Sequence, residues 1–243
     1  MNLHVERYGS GEPVVFVHGA GGSSSAWYFQ KEYLKRFVEV ILIDLPGHGV
    51  ASGVPPQTIE EKRDMIRQAL EELKVGPCHL VGHSMGGAIS MSFALHYPDL
   101  LKGLILVATG ARLRVLPEIL DTILNDKAGA ARQIMELAFG EKTAPMMVQA
   151  AIDEIMKADA QVIYNDFMSC ERFDLVGALG GIETPTLIIG GTEDRLAPVR
   201  YSKYLCREIR GSKLVLIPDA GHMVPLEKPA EVNRAIKEFI LAG

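Results

Sequence analysis

The stretch HLVGHSMGGAISMSFALHYP, residues 79–98, decides the fold. It begins with a short apolar run and continues into a largely apolar helical segment that Pro98 ends. At the junction, Gly82-His83-Ser84-Met85-Gly86 matches G-x-S-x-G. A serine on such a sharp turn has a strained backbone, and a glycine two positions to either side leaves room for it. The pattern predicts a serine exposed at the carboxyl edge of a sheet, beside a helix end whose dipole favours a developing anion.

Similar apolar runs occur on both sides of this stretch and alternate with longer helical segments. They lie at residues 14–17, 40–43, 104–107, 186–189 and 213–217. Continuous apolar runs are typical of strands that are buried on both faces, and their alternation with helices indicates a mostly parallel α/β sheet flanked by helices. Residues 3–8 alternate weakly, which is compatible with an antiparallel edge strand.

Residues 111–179 interrupt this alternation of predicted strands and helices. The segment has no strand-like run and reads as several amphipathic helices, and it holds five of the ten methionines. Core packing explains most methionines of this kind, but a helical block inserted between two strands is also typical of a lid lined with adaptable apolar side chains. We therefore expect an α/β core formed by residues 1–110 and 180–243, with a helical cap at 111–179.

A nucleophilic serine needs a base, and seven histidines are available. His222 follows the last predicted strand, which places it at the same sheet edge as Ser84. His18 and His48 occupy glycine-containing loops, where a role in loop-stabilising hydrogen bonds is expected. Asp194 follows the preceding strand and is the candidate carboxylate that orients His222, with the neighbouring Glu193 as the competing acid. The chain order serine, aspartate, histidine suits this topology.

A serine, a histidine and an aspartate in this order are typical of enzymes that transfer acyl groups, and acyl transfer further requires hydrogen-bond donors for a developing oxyanion. We expect the backbone N–H groups of Met85, which follows the serine, and of Ala20, in the glycine-rich loop after the first buried strand. That loop lacks the G-x-G-x-x-G spacing of a dinucleotide site. Trp27, Met147 and Phe167 are candidate substrate contacts, although Trp27 could equally pack between helix and sheet.

The composition excludes several classes of protein. The 243 residues are 48% hydrophobic and 23% charged, with 25 basic and 30 acidic side chains, so no basic surface for nucleic acid is expected. The three cysteines are scattered, and they form neither a disulfide framework nor a metal clip. We expect no signal peptide, because the N-terminal residues lack its apolar stretch, and no membrane span, because no apolar run approaches the roughly 20 residues that a span needs. We expect a cytoplasmic monomer or homodimer without metal, membrane or nucleic-acid partner.

Together these motifs resemble the α/β-hydrolase superfamily over nearly the whole chain, and within it the small bacterial carboxylesterases with a helical cap. The resemblance rests on His18-Gly19, Asp44-Leu45-Pro46-Gly47-His48-Gly49, the serine motif, Asp194 and Gly221-His222. It implies a cofactor-free serine hydrolase whose cap follows the sixth strand of the family. Two departures are a trimmed first hairpin and the absence of a serine directly after Gly49.

The expected reaction is hydrolysis of small or medium carboxylic esters through Ser84, His222 and Asp194. The same groups could act on a lactone, a thioester, a monoacylglycerol or a carbon–carbon bond, because the choice depends on the shape of the cap. A haloalkane dehalogenase would need a carboxylate in place of the serine. A small-molecule receptor with little turnover is the alternative from a different class.

Overall fold

The apolar runs form one seven-stranded sheet in the computed structural model, which describes residues 3–242. The strand order is β1-β3-β2-β4-β5-β6-β7; β1 is antiparallel to β3, and the other neighbouring strands are parallel. The predicted strands, including the edge strand, are thereby confirmed. Their bounds are β1 (His4–Tyr8), β2 (Pro13–Val17), β3 (Glu39–Asp44), β4 (Cys78–His83), β5 (Leu101–Val107), β6 (Thr186–Gly191) and β7 (Lys213–Ile217).

Both faces of the sheet are covered, because side chains alternate along each strand. In β2, Val15 and Val17 belong to the core on one face, while Val14 and Phe16 belong to the core on the other. The first face packs against α2 (Ile59–Glu72), α3 (Met85–His96) and α8 (Val199–Glu208). The second packs against α1 (Tyr28–Leu34), α9 (Val224–Glu227) and α10 (Pro229–Leu241).

Four α-helices are inserted between β5 and β6: α4 (Pro117–Ile123), α5 (Lys127–Ala138), α6 (Pro145–Ile155) and α7 (Ala160–Arg172). They have an apolar core of their own, formed by residues such as Ile123, Ile134 and Ile155. An antiparallel bridge between Arg112 and Asp174, reinforced by their ion pair, closes the base of the insertion. The predicted helical insertion is therefore present, after the fifth described strand.

The parallel strands point their carboxyl ends toward one edge of the sheet, so the loops after β2, β4, β6 and β7 gather there. These are the loops that carry the residues singled out in the sequence. Among the helices of residues 3–242, none combines the length and apolar composition that crossing a bilayer requires. Met1, Asn2 and Gly243 lie outside the described residues.

Candidate active site

Ser84 lies between the end of β4 and the start of α3, with backbone angles φ +53° and ψ −115°. Its hydroxyl makes no capping hydrogen bond to α3, so the side chain is left for another use. The turn needs glycine on both sides, since a Cβ at Gly82 would collide with Gly86 O and one at Gly86 would collide with Val17 O. The backbone N–H of Ser84 donates to Val107 O over 3.0 Å, which ties the turn to the neighbouring strand.

His222 and Asp194 form a buried pair at the same edge of the sheet. His222 Nδ1 lies 2.9 Å from Asp194 Oδ2, and the other carboxylate oxygen accepts the N–H groups of Leu196 at 2.9 Å and Ala197 at 2.7 Å. Burial raises the pKa of Asp194, but the charge and hydrogen bond of His222 together with the two N–H groups outweigh it, so the pKa is lowered. An ionised Asp194 requires a proton on Nδ1 of His222 and leaves Nε2 as the basic nitrogen.

Ser84 and His222 line one cavity of about 800 Å³. The hydrogen bonds within residues 3–242 do not include one between the Ser84 hydroxyl and His222 Nε2. In unliganded enzymes such bonds are often long and tighten when substrate binds. His222 itself is held by its own N–H group, which donates to Ala138 O in the insertion over 2.6 Å.

Two backbone N–H groups are available beside the serine. Met85 is the first residue of α3, so its N–H group has no acceptor within the helix. Ala20 follows Gly19, which lies so close to Ser84 that a Cβ on this glycine would be 3.2 Å from Ser84 Cβ. The hydrogen bonds of residues 3–242 include none donated by Ala20 N. Both groups could therefore receive an oxyanion formed at a carbonyl attacked by Ser84.

The insertion forms most of the remaining cavity wall, and its contribution is mostly apolar, with Arg114 and Glu154 as its charged members. Met147 and Phe167 both lie in the lining, as do side chains of the shared apolar core of the insertion such as Ile134 and Ile155. Trp27 does not. Its ring is fully buried 5.1 Å from the ring of Phe16, so its prediction as a substrate contact is corrected to packing against the sheet.

Two other histidines are buried around the site and support its loops. His83 is buried, and its Nε2 lies 2.9 Å from His222 O; burial and the nearby His222 lower the pKa of His83 to about 3. His18 Nδ1 contacts Gly19 O at 2.8 Å, and its Nε2 accepts Leu45 N at 3.2 Å. Burial and the charge of His48 lower the pKa of His18 to about 4. The loop-stabilising role expected for His18 is consistent with these contacts.

Sequence reasoning missed Asp166, a fully buried carboxylate on α7 of the insertion. It contacts His48 and the backbone of Gly21 in the loop that carries Ala20. A signal existed, because Asp166 lies on the apolar face of its helix together with Val162 and Cys170. For metals, no group of three or more histidine, cysteine, aspartate or glutamate side chains in the described part of the chain could hold an ion.

Comparison with known proteins identifies the family. The model of the alpha/beta hydrolase family matches residues 14–235, so the chain belongs to that family. A thermophilic esterase from Thermogutta terrifontis superposes with a TM-score of 0.91 at 30% identity, covering 99% of this chain and 93% of that one. A lactone-degrading enzyme, Est816, described as acting on N-acyl homoserine lactones, has a TM-score of 0.87 at 27% identity over 98% of this chain and 96% of that one.

Among proteins of described activity, the chain is 29% identical over 252 residues to (E)-2-((N-methylformamido)methylene)succinate hydrolase of Acinetobacter baylyi, covering 98% of this chain and 93% of that protein. The chain is thus similar in sequence and structure to hydrolases of several substrates. It is an α/β hydrolase with esterases among its structural neighbours.

Proposed function

We propose that this protein is a serine hydrolase that cleaves carboxylic esters of small or medium acyl chain through Ser84, His222 and Asp194. The observation that carries the proposal is the shared cavity, in which a strained serine and a histidine backed by a buried aspartate meet an apolar wall. The 30% identity to an esterase over nearly the full chain supports the ester as substrate.

The proposed reaction begins when Ser84 Oγ attacks the ester carbonyl carbon and His222 Nε2 takes its proton. The carbonyl electron pair moves to oxygen, which the N–H groups of Met85 and Ala20 stabilise. As the tetrahedral intermediate collapses, the proton passes to the departing alkoxide and an acyl-enzyme remains. Water, deprotonated by His222, then cleaves the acyl-enzyme by the same steps. Asp194 stays ionised and stabilises the imidazolium.

We further propose that residues 111–179 act as a lid that selects the acyl or alcohol group. A cavity of about 800 Å³ has the size of sites that bury small organic ligands. Shrinking its wall should change which chain lengths fit, and one methylene in such a pocket is worth roughly 1–3 kcal/mol, or about 10-fold between adjacent substrates. Met147→Ala and Phe167→Ala should shift the chain-length optimum. Leu124→Ala, an exposed cap residue that does not line the cavity, should leave it unchanged.

A lactone is the second candidate substrate, because the structural neighbour Est816 is described as degrading N-acyl homoserine lactones. A lactone is a cyclic ester and needs no change in the proposed groups. In that case the alcohol released from the carbonyl remains tethered to the acyl product.

The deciding experiment measures kcat and KM for p-nitrophenyl esters from acetate to decanoate, with acyl homoserine lactones in parallel. Ester turnover that Ser84→Ala reduces by on the order of 10⁴-fold supports the proposal. Labelling of the wild type by a fluorophosphonate probe, lost in Ser84→Ala, reports an activated serine independently of the substrate. Labelling without turnover of any ester or lactone favours the receptor alternative. Turnover that survives Ser84→Ala refutes the role of this residue.

A further inference from the structure

A buried polar cluster joins the insertion to the loop that carries Ala20, and the proposed reaction uses none of its side chains. At its centre is Asp166 of α7, with no exposed surface. Asp166 Oδ2 accepts Gly21 N over 3.0 Å and lies 2.7 Å from His48 Nε2. The ammonium group of Lys62, which is equally buried, lies 3.3 Å from the other carboxylate oxygen.

The charges of this cluster follow from its contacts. His48 Nδ1 lies 3.2 Å from Pro46 O, so both ring nitrogens of His48 face acceptors, which favours the imidazolium. Burial lowers the pKa of His48, but the charge and hydrogen bond of Asp166 outweigh it and the pKa is raised. Burial raises the pKa of Asp166, and His48, Lys62 and Gly21 N–H together lower it below its usual range. Burying these charges is costly, and apolar residues of similar volume often pack with equal or greater stability.

The position of the cluster suggests what it does for the reaction. The peptide before Ala20 has its carbonyl oxygen, Gly19 O, held by His18 Nδ1 at 2.8 Å and by Gly22 N at 3.2 Å. In a trans peptide the N–H group points opposite to the carbonyl oxygen, so these bonds direct Ala20 N–H away from His18. The peptide after Ala20 is held by Asp166 through Gly21 N–H.

Asp166 also supports the peptide between Gly19 and Ala20, but indirectly, through two histidine side chains. The ring of His18 packs against the ring of His48, with centroids 4.8 Å apart, and His48 is paired with Asp166. Thus one carboxylate of the insertion supports both peptide planes that flank Ala20, one directly and one through the contacting, mutually tilted rings of His48 and His18.

We propose that Asp166 is a positioning residue for the oxyanion hole: through Gly21 and His48 it holds the Ala20 N–H group where the oxyanion forms. The inference rests on the proposed function. It gives the insertion a part in stabilising the transition state, in addition to selecting the substrate. A carboxylate that only fastens the lid would instead affect substrate binding and leave the chemical step unchanged.

The test compares Asp166→Ala with the wild type in kcat and KM for p-nitrophenyl acetate and in Ki for an alkyl trifluoromethyl ketone. Ser84 Oγ adds to this ketone, its proton passes to His222, and the carbonyl electron pair becomes an oxyanion. Removing one oxyanion donor costs about 10²–10³ in kcat, and a misaligned donor should cost less, about 10–100-fold. We expect kcat to fall and Ki to rise by that same factor, with KM changed by less than about 3-fold.

Three further variants separate positioning from folding. Asp159→Ala removes the side-chain cap of the same helix, α7, without touching the Ala20 loop, so it should leave kcat and Ki near wild type. The double variant Asp166→Leu with Lys62→Met removes both the carboxylate and the ammonium, so no charge of that pair is left unpaired and the fold should persist. This double variant should show the same parallel change in kcat and Ki as Asp166→Ala. Lys62→Met alone, which keeps the acceptor for Gly21, should not.

If the wild type is active and the folded double variant has the same kcat and Ki as the wild type, the inference is overturned. The proposed function would remain intact in that case. A rise in the KM of Asp166→Ala with its kcat unchanged would also overturn the inference, because Asp166 would then serve only to attach the insertion to the core. A wild type that neither hydrolyses an ester nor reacts with a fluorophosphonate would refute the proposed function, and this inference with it.

Discussion

The backbone of Ser84, at φ +53° and ψ −115°, adopts a conformation that glycine reaches freely and a residue with a Cβ does not. We therefore expect Ser84→Gly to raise the free energy of unfolding. Ser84→Ala keeps the Cβ and with it the strain, so it is the matched comparison. The hydroxyl makes no capping bond to α3, so its loss should have little effect on stability in either variant.

The size of the effect follows from two opposing contributions. A residue held in such a sparsely populated region costs about 1–3 kcal/mol. Glycine loses more backbone freedom on folding, which offsets about 0.5–1 kcal/mol of the relief. The expected gain of Ser84→Gly over Ser84→Ala is about 1 kcal/mol. For a chain of 243 residues this corresponds to a rise in Tm of about 2–4 °C.

Urea titration and thermal unfolding at neutral pH measure this difference directly. Both variants lack the hydroxyl of the proposed nucleophile, so acylation at residue 84 cannot alter either measurement. If Ser84→Gly is no more stable than Ser84→Ala, the turn is not strained against a side chain. The view that stability is given up there to expose a nucleophile would then be wrong.

Two other predictions concern the groups around the serine. Asp194→Asn should lower kcat by about 10⁴-fold, because an amide no longer stabilises the imidazolium or fixes the tautomer of the base. Glu193→Gln is the control and should have little effect on kcat. Equal losses of kcat in the two variants would contradict the assignment of Asp194 as the carboxylate that orients His222. The pKa values of His18 and His83 are lowered to about 4 and about 3, so the folded protein should lose stability in acid. A lowered histidine pKa means that the unfolded chain binds more protons below about pH 6.5, so stability is present above that pH and is lost as the pH falls. When the pH is lowered from about 6.5 to about 5, each of these two histidines should reduce the free energy of unfolding by roughly 1.5 kcal/mol. Urea titration at several pH values measures this loss, and a free energy of unfolding that stays constant over this range would contradict the prediction.

Much of the site could be predicted from short stretches of sequence, because the signals that define it are local. A strand of apolar residues, a glycine two positions from a serine and an apolar helix specify the turn at Ser84 wherever they occur together. The placement of Asp194 and His222 needed only the rule that loops after parallel strands gather at one edge of the sheet. Residues that follow strands β6 and β7 therefore come close to Ser84 without any detailed knowledge of packing.

The insertion was different. Its helices were recognisable from periodicity, but periodicity specifies only which side chains share a face of a helix and not what that face meets. Trp27 shows the same limit, because an aromatic residue beside a predicted site can turn into the core as readily as toward a ligand. The structure places it against Phe16.

By itself, then, the sequence determined the strands, the turn at Ser84 and the family of the chain. Only the tertiary structure decided that Asp166 meets Gly21, a contact between residues 145 positions apart. That contact depends on how α7 packs across the loop after β2. Such long-range packing results from the summed burial of many apolar side chains, which no local motif encodes.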